Sequence, residues 1–246
     1  MKHLRRSAVI VLFFITIVVA AFGVYIFLEI KKPPEAGVHE TVRHFSFSSV
    51  RSLDEWKEKM LTRNRTDYSV AEHGGRDCVK AVSENSASAL FYRQQLSCER
   101  DPFIRWDWKA EKFPSHKYKE TLGEKDEFDF AAQVYVIFSA RFFLNAKAIQ
   151  YVWTRDVPAG TVAASPYTEK VRIMVLRSGE SEEWKHEERN IKDDFRSLFG
   201  KEPEKDVAVI SFMTDSDSTG SSAEAYYGDI TVGYLEMVRK EEPSGI

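Results

Sequence analysis

The chain has 246 residues, 43% hydrophobic and 30% charged, with 17 Phe, 10 Tyr and 5 Trp, a composition that can bury a core and excludes a disordered tail. Residues 1–32 hold five bases and one acid, which leaves 30 bases against 37 acids beyond them and excludes a nucleic-acid binder working through a basic surface. Two cysteines exclude a disulfide-dense scaffold and a multi-cysteine metal cluster.

Residues 1–7, with Lys2, Arg5 and Arg6, read as a cytoplasmic amino terminus, and residues 8–28 carry no charge. Fifteen of those 21 side chains are Val, Ile, Leu or Phe, and at about 1.5 Å per residue a helix of this length crosses the hydrocarbon layer. A cleaved signal peptide is the rival reading, with Val19-Ala20-Ala21 as its processing site. The apolar run continues for seven residues past Ala21, longer than a signal core, and predicts an uncleaved anchor. Three bases before the segment and two after it (Lys31, Lys32) orient the amino terminus to the cytoplasm and the rest of the chain outside it. Residues 29–42, stiffened by Pro33-Pro34, form a spacer, residues 43–239 the folded domain and residues 240–246 a polar tail.

Within the domain, period-two alternation predicts strands over 44–49, 78–83, 87–96, 103–109, 130–139, 149–154, 171–176, 207–213 and 230–238. Ser52 to Glu55 has capping-box spacing, which predicts a helix placing Leu53, Trp56 and Met60 on one face. A second helix is predicted after Asn190, where Ile191, Phe195, Leu198 and Phe199 recur at helical spacing before Gly200. Residues 110–127 are polar and read as a long loop. Many strands, two short helices and no strand-helix alternation predict an all-β fold, an antiparallel β-sandwich of jelly-roll type. A hairpin turning near residues 84–87 would set Cys78 opposite Arg93, which favours two free buried thiols over the alternative of a disulfide between Cys78 and Cys98.

The Asp-Ser-Asp-Ser-Thr-Gly run that begins at Asp215 imitates a phosphatase nucleophile motif, but only 27 residues follow Thr219, too few for that fold's later motifs. It also imitates a calcium loop, with Tyr226 standing where an EF-hand needs Glu. What remains is a looser Ca2+-type site of Asp215 and Asp217 with Asp229 or Glu224, or a solvated turn bonding its own backbone. Trp153 suggests sugar stacking, whereas Trp106 and Trp108 alternate with Ile104 on a core face. The opposite face of that strand, with Arg105 and Asp107, is then solvent or a polar groove. Arg189 and Asn190 open a charged cluster at a helix start.

The runs Ser86-Ala-Ser-Ala-Leu90, Pro102-Phe-Ile-Arg-Trp-Asp-Trp108, Phe130-Ala-Ala-Gln-Val-Tyr-Val136, Tyr151-Val-Trp153, Arg189-Asn-Ile-Lys-Asp-Asp-Phe195 and Met213-Thr-Asp-Ser-Asp217 together resemble a bacterial family, domain-of-unknown-function family 3047. The match covers about residues 43–235, with Gln133 and Ser218 standing where the family commonly has Arg and Asn. The resemblance implies an exported or membrane-tethered protein with a fold like galactose-binding jelly rolls, and recurring polar positions at Asp107, Arg189, Asn190, Asp215, Asp217 and Asp229. The expected function is a periplasmic sandwich, tethered to the bacterial inner membrane, that binds a glycan or another envelope component through Arg105, Asp107, Trp153, Arg189 and Asn190. The alternatives are a polysaccharide hydrolase using paired carboxylates and an envelope scaffolding protein with a protein partner.

Overall fold

The computed structural model describes residues 38–139 and 145–236. The expected anchor at 8–28 and the polar tail lie outside the described residues, among which no helix is long and apolar enough to cross a membrane. In chain order the first strands are β1 (Val38–Phe45), β2 (Lys57–Met60), β3 (Asp67–His73), β4 (Arg76–Glu84), β5 (Ala87–Leu96) and β6 (Pro102–Lys112). They are followed by β7 (Ala132–Phe138), β8 (Ala148–Thr154), β9 (Val162–Ser165), β10 (Thr168–Ser178), β11 (Lys185–Asn190), the helix α1 (Ile191–Phe199), β12 (Val207–Asp215) and β13 (Ser222–Glu236).

The protein is mostly β, and its strands form two sheets packed as a sandwich. One sheet runs β11-β6-β13-β4-β3, with β1 paired to β13, and the other runs β2-β5-β12-β7-β8-β10-β9. Alternation decides which side chains meet between them. Trp106 and Trp108 of β6 turn inward, their rings 5.4 Å apart, and reach Tyr151 at 5.4 Å and Trp153 at 5.8 Å on β8 of the opposite sheet. A smaller apolar cluster forms elsewhere. Leu122, Phe128 and Phe130 pack with Val152, Ile173 and Val175, so the long loop between β6 and β7 has a core of its own.

Three expectations are corrected. The sandwich is not wholly antiparallel, because β10 pairs parallel with β8, while β9 folds back antiparallel on β10 within the connection between them. No helix follows Ser52. Val50–Leu53 makes a short 3-10 turn in which Ser49 and Ser52, instead of Ser52 and Glu55, form the capping pair, and the chain then runs into β2. Trp56 explains the difference: its ring sits 5.0 Å from Phe45 and 4.9 Å from Phe212, and burying it there outweighs a helical periodicity of three residues. Finally, β4 and β5 lie in different sheets, so Cys78 faces Ala71 of β3 and no hairpin brings it opposite Arg93. Both cysteines are free and buried. The helix after Asn190 forms as expected, with the Asn190 side chain accepting from the backbone N–H groups of Lys192 and Asp193 at 3.0 and 3.1 Å and Gly200 closing it in a left-handed conformation.

Residues 38–42 of the expected spacer belong to β1, which lies close against β13. A Cβ on Gly233 would come within 2.0 Å of the Glu40 carbonyl oxygen, so this crossing requires glycine. The pairings of β13 order the two ends of the sandwich: Glu224 meets Lys112, and Tyr234 meets Pro102. The 216–221 turn, the 85–86 turn and the start of the long loop therefore share one end, joined by Ser216 N–H to the Ser86 carbonyl (3.1 Å) and Ser115 N–H to the Ser221 hydroxyl (3.0 Å).

Candidate functional site

At that end β12 finishes on Asp215, and the turn after it presents Asp217. Asp129, just ahead of β7, joins them: one carboxylate oxygen from each of the three residues lies within 4.8 Å of the others. Two of the three are buried. Asp129 accepts from Ser218 N–H (3.2 Å), Thr219 N–H (2.7 Å) and the Thr219 hydroxyl (2.7 Å), which fixes the turn against the long loop. Asp215 accepts from Phe130 N–H at 2.8 Å and from the Gln133 amide at 2.6 Å. The chain of contacts continues outward, since the Gln133 carbonyl oxygen accepts from Tyr135 (2.9 Å) and Gln150 (2.8 Å).

No Lys, Arg or His forms an ion pair with these carboxylates among the described residues. At an effective dielectric near 20, two full charges at this spacing repel by about 3 kcal/mol, so the cluster favours a proton or a cation. Burial, then the nearby Asp129, pushes the Asp215 carboxyl well above the usual carboxylate range, and the same two causes raise Asp217. The three oxygens could hold one hard cation of the Ca2+ type, with the remaining ligands supplied by water or backbone.

Beside the cluster lies a cleft of about 750 Å³ lined by Lys117, Tyr118, Lys119, Thr121, Glu124, Asp126, Glu127, Ser218 and Thr219. Its far wall is pinned at several points. Glu127 accepts from Lys117 N–H at 3.0 Å and its carbonyl meets His116 Nε2 at 3.0 Å. Glu120, 2% exposed, accepts from Arg155 N–H (2.8 Å) and Asp156 N–H (2.7 Å). Tyr118 is 79% exposed on this wall, an aromatic ring offered to solvent from a held loop.

The residues singled out in the sequence are dispersed. Arg105 pairs with Glu188 on the outer face of the six-stranded sheet, where Asp107 meets His186 at 3.0 Å and Arg76 at 3.7 Å. Arg189 makes a bidentate pair with Asp194, which also accepts from Tyr151 at 2.7 Å. Burial alone would lower the Arg189 pKa, but the bond to Asp194 raises it. Asn190 caps α1. Trp153 is 1% exposed, its indole N–H given to the Gly179 carbonyl at 2.9 Å. Asp229 lies apart from Asp215 and Asp217, paired with His44 at 3.3 Å. In its place stands Asp129, which sequence spacing could not reveal because it is 86 residues from Asp215 and carries no local motif. Tyr118 was equally silent inside a stretch that reads as polar loop.

Comparison with solved structures gives matches of low identity. The family 11 carbohydrate-binding module of the cellulase Lic26A-Cel5E of Clostridium thermocellum is 10% identical over 83% of this chain and 99% of that one, with a TM-score of 0.40. The family 30 module of Cel9D-Cel44B from the same organism is 10% identical over 78% of this chain and 98% of that one (TM-score 0.38). The CBM22-1–GH10 modules of its xylanase Xyn10B, solved with xylohexaose, are 11% identical over 83% of this chain and 30% of that one (TM-score 0.42). No curated protein matches the sequence. A family model matches residues 54–231, well over half the chain, and the protein belongs to that family, described as Protein of unknown function (DUF3047).

Proposed function

We propose that this protein is a non-catalytic glycan-binding module, tethered to the bacterial inner membrane by residues 8–28 with its sandwich in the periplasm. The observation that carries the binding reading is the cleft. Its size suits a small ligand, its lining residues bring amino, hydroxyl and carboxylate groups where pockets for apolar ligands are lined mostly by hydrophobic side chains, and its one large ring, Tyr118, is exposed for stacking. Hydroxyls and carboxylates around a flat ring are the groups that a sugar, with an apolar face and a rim of hydroxyls, can engage together. The antiparallel approach of β1 to β13, with His44 beside Thr231 and Glu40 beside Gly233, brings the chain in at the end opposite the cleft.

Hydrolysis fits the acidic cluster less well. Glycosidase carboxyl pairs stand roughly 5–5.5 Å or 6.5–9.5 Å apart around a bond they must reach, whereas these oxygens lie within 4.8 Å and two of the three residues are buried under backbone donors. The test is a glycan array probed with the full chain in nanodiscs, followed by calorimetric titration of the retained sugars. Tyr118→Ala is expected to weaken binding about tenfold, the cost of one stacking contact, without lowering the melting temperature. An array silent for neutral, amino and acidic glycans sinks the reading.

A further inference from the structure

We infer that the cleft takes several consecutive units of a glycan chain, laid across Tyr118 and Tyr167, and not a single sugar. Seven large hydrophobic side chains are well exposed among the described residues, and two of them are aromatic: Tyr118 at 79% and Tyr167 at 58%. Both stand at the same loop. Tyr118 lines the cleft, as do Glu124 and Asp126, and between those two acids the Lys125 carbonyl accepts from the Tyr167 hydroxyl at 3.0 Å. Tyr167 comes from the turn between β9 and β10, outside the loop, so the rim at 124–126 is where the cleft meets another element. Ser218 and Thr219 line the cleft from the turn after β12. The lining thus reaches from that turn to the 124–126 rim, and Tyr167 continues it past the rim.

A lone exposed tyrosine needs no explanation, but this ring is held in place. Phe128 meets it in a T-shaped contact at 5.6 Å, the Lys125 ammonium stands 5.5 Å from its centre, and the hydroxyl bond fixes its tip. More than half of its surface stays open to solvent even so. A ring fixed before binding loses little rotamer freedom when a ligand stacks on it, whereas an unheld tyrosine gives up affinity there. Beside it, Glu124 and Asp126 form no ion pair among the described residues, which leaves their carboxylates to accept from sugar hydroxyls. Each sugar unit has one apolar face to offer a ring, so two rings carried by separate elements are matched by a chain of units. Joining the units makes the contact with Tyr167 intramolecular once Tyr118 is engaged, and affinity then grows with chain length.

The inference rests on the glycan-binding reading of the cleft, and the experiment separates the two. The full chain in nanodiscs is titrated calorimetrically with size-fractionated oligomers, one to six units long, of each polysaccharide that the array retains. Oligomers of β-1,4-linked glucose and of β-1,4-linked N-acetylglucosamine are run alongside. Affinity is expected to climb about tenfold or more from the shortest bound oligomer to four units. Tyr167→Ala should remove that rise, weakening the longer oligomers about fivefold or more while leaving the shortest within about twofold. Tyr167→Phe, which keeps the ring and loses only the bond to the Lys125 carbonyl, should stay within about twofold of the wild-type protein at every length. Tyr118→Ala should weaken binding at all lengths. Affinity that is the same at every length, or that Tyr167→Ala lowers equally at every length or at none, overturns the second ring and keeps the cleft as a site for a single sugar. Silence from the array and from both reference ladders overturns both.

Discussion

Asp215 is the residue at which the chemistry of the site can be read most directly. Its carboxyl is buried, faces Asp129, and has its pKa pushed upward, while in the unfolded chain the same group titrates near the ordinary value of about 3.9. The folded state therefore holds a proton that the unfolded state releases. Its contribution to stability is complete below the unfolded pKa and is lost as pH rises through the folded one. Urea midpoints of the wild-type protein should fall as pH is raised from 5 to 8. Asp215→Asn, which stays neutral and keeps an oxygen for Phe130 N–H, should show a flatter profile. A bound cation would take the proton's place, and millimolar calcium would then remove the slope from the wild-type protein alone. Parallel profiles for the two proteins, with and without calcium, would show that Asp215 is ionised and paired by other means. The Asp-x-Asp run was legible in the sequence, but its partner was not: Asp129 reaches the cluster only because the loop before β7 folds against the turn after β12.

At the scale of elements, the long loop between β6 and β7 is held by a few strong points. Glu120 is one of them, a carboxylate accepting two backbone N–H groups from the 155–156 turn while its other oxygen is buried without a partner. Burial raises its pKa, an effect partly offset by the backbone N–H groups that bond to it. Glu120→Ala should cost about 1–3 kcal/mol by stranding the two donors, and hydrogen exchange should quicken around residues 116–122 and 154–158. Glu120→Gln, which keeps an acceptor oxygen, should cost less than half as much. Equal exchange in all three proteins would mean that the smaller apolar cluster, not Glu120, holds the loop. This loop also shows where local reading stops. Alternation identified β6 from Ile104, Trp106 and Trp108 because each strand face meets one environment along its length. The residues from 57 to 60 are all exposed, so β2 carries no alternation, and its place is set by pairing Lys57–Met60 with β5 and by Trp56 reaching into the core.

For the whole molecule, the sandwich was legible from strand number and the absence of strand-helix alternation, while the parallel pairing of β8 with β10 was not, since side-chain periodicity is the same in either direction. The same topology makes a prediction about cooperativity. Cys78 lies in β4 of the six-stranded sheet, and Cys98 follows β5 of the seven-stranded one. Burial raises both thiol pKa values, that of Cys78 to about 11, so neither reacts readily while covered. The inward aromatics form one continuous core from Trp106 and Trp108 of one sheet to Tyr151, Trp153 and Phe212 of the other, so separating the sheets exposes all of them together. Pulsed alkylation across a urea series should therefore modify Cys78 and Cys98 at the same midpoint, coincident with the loss of tryptophan fluorescence. Modification of one thiol at lower urea would show that its sheet opens alone and that the core is two weakly coupled halves.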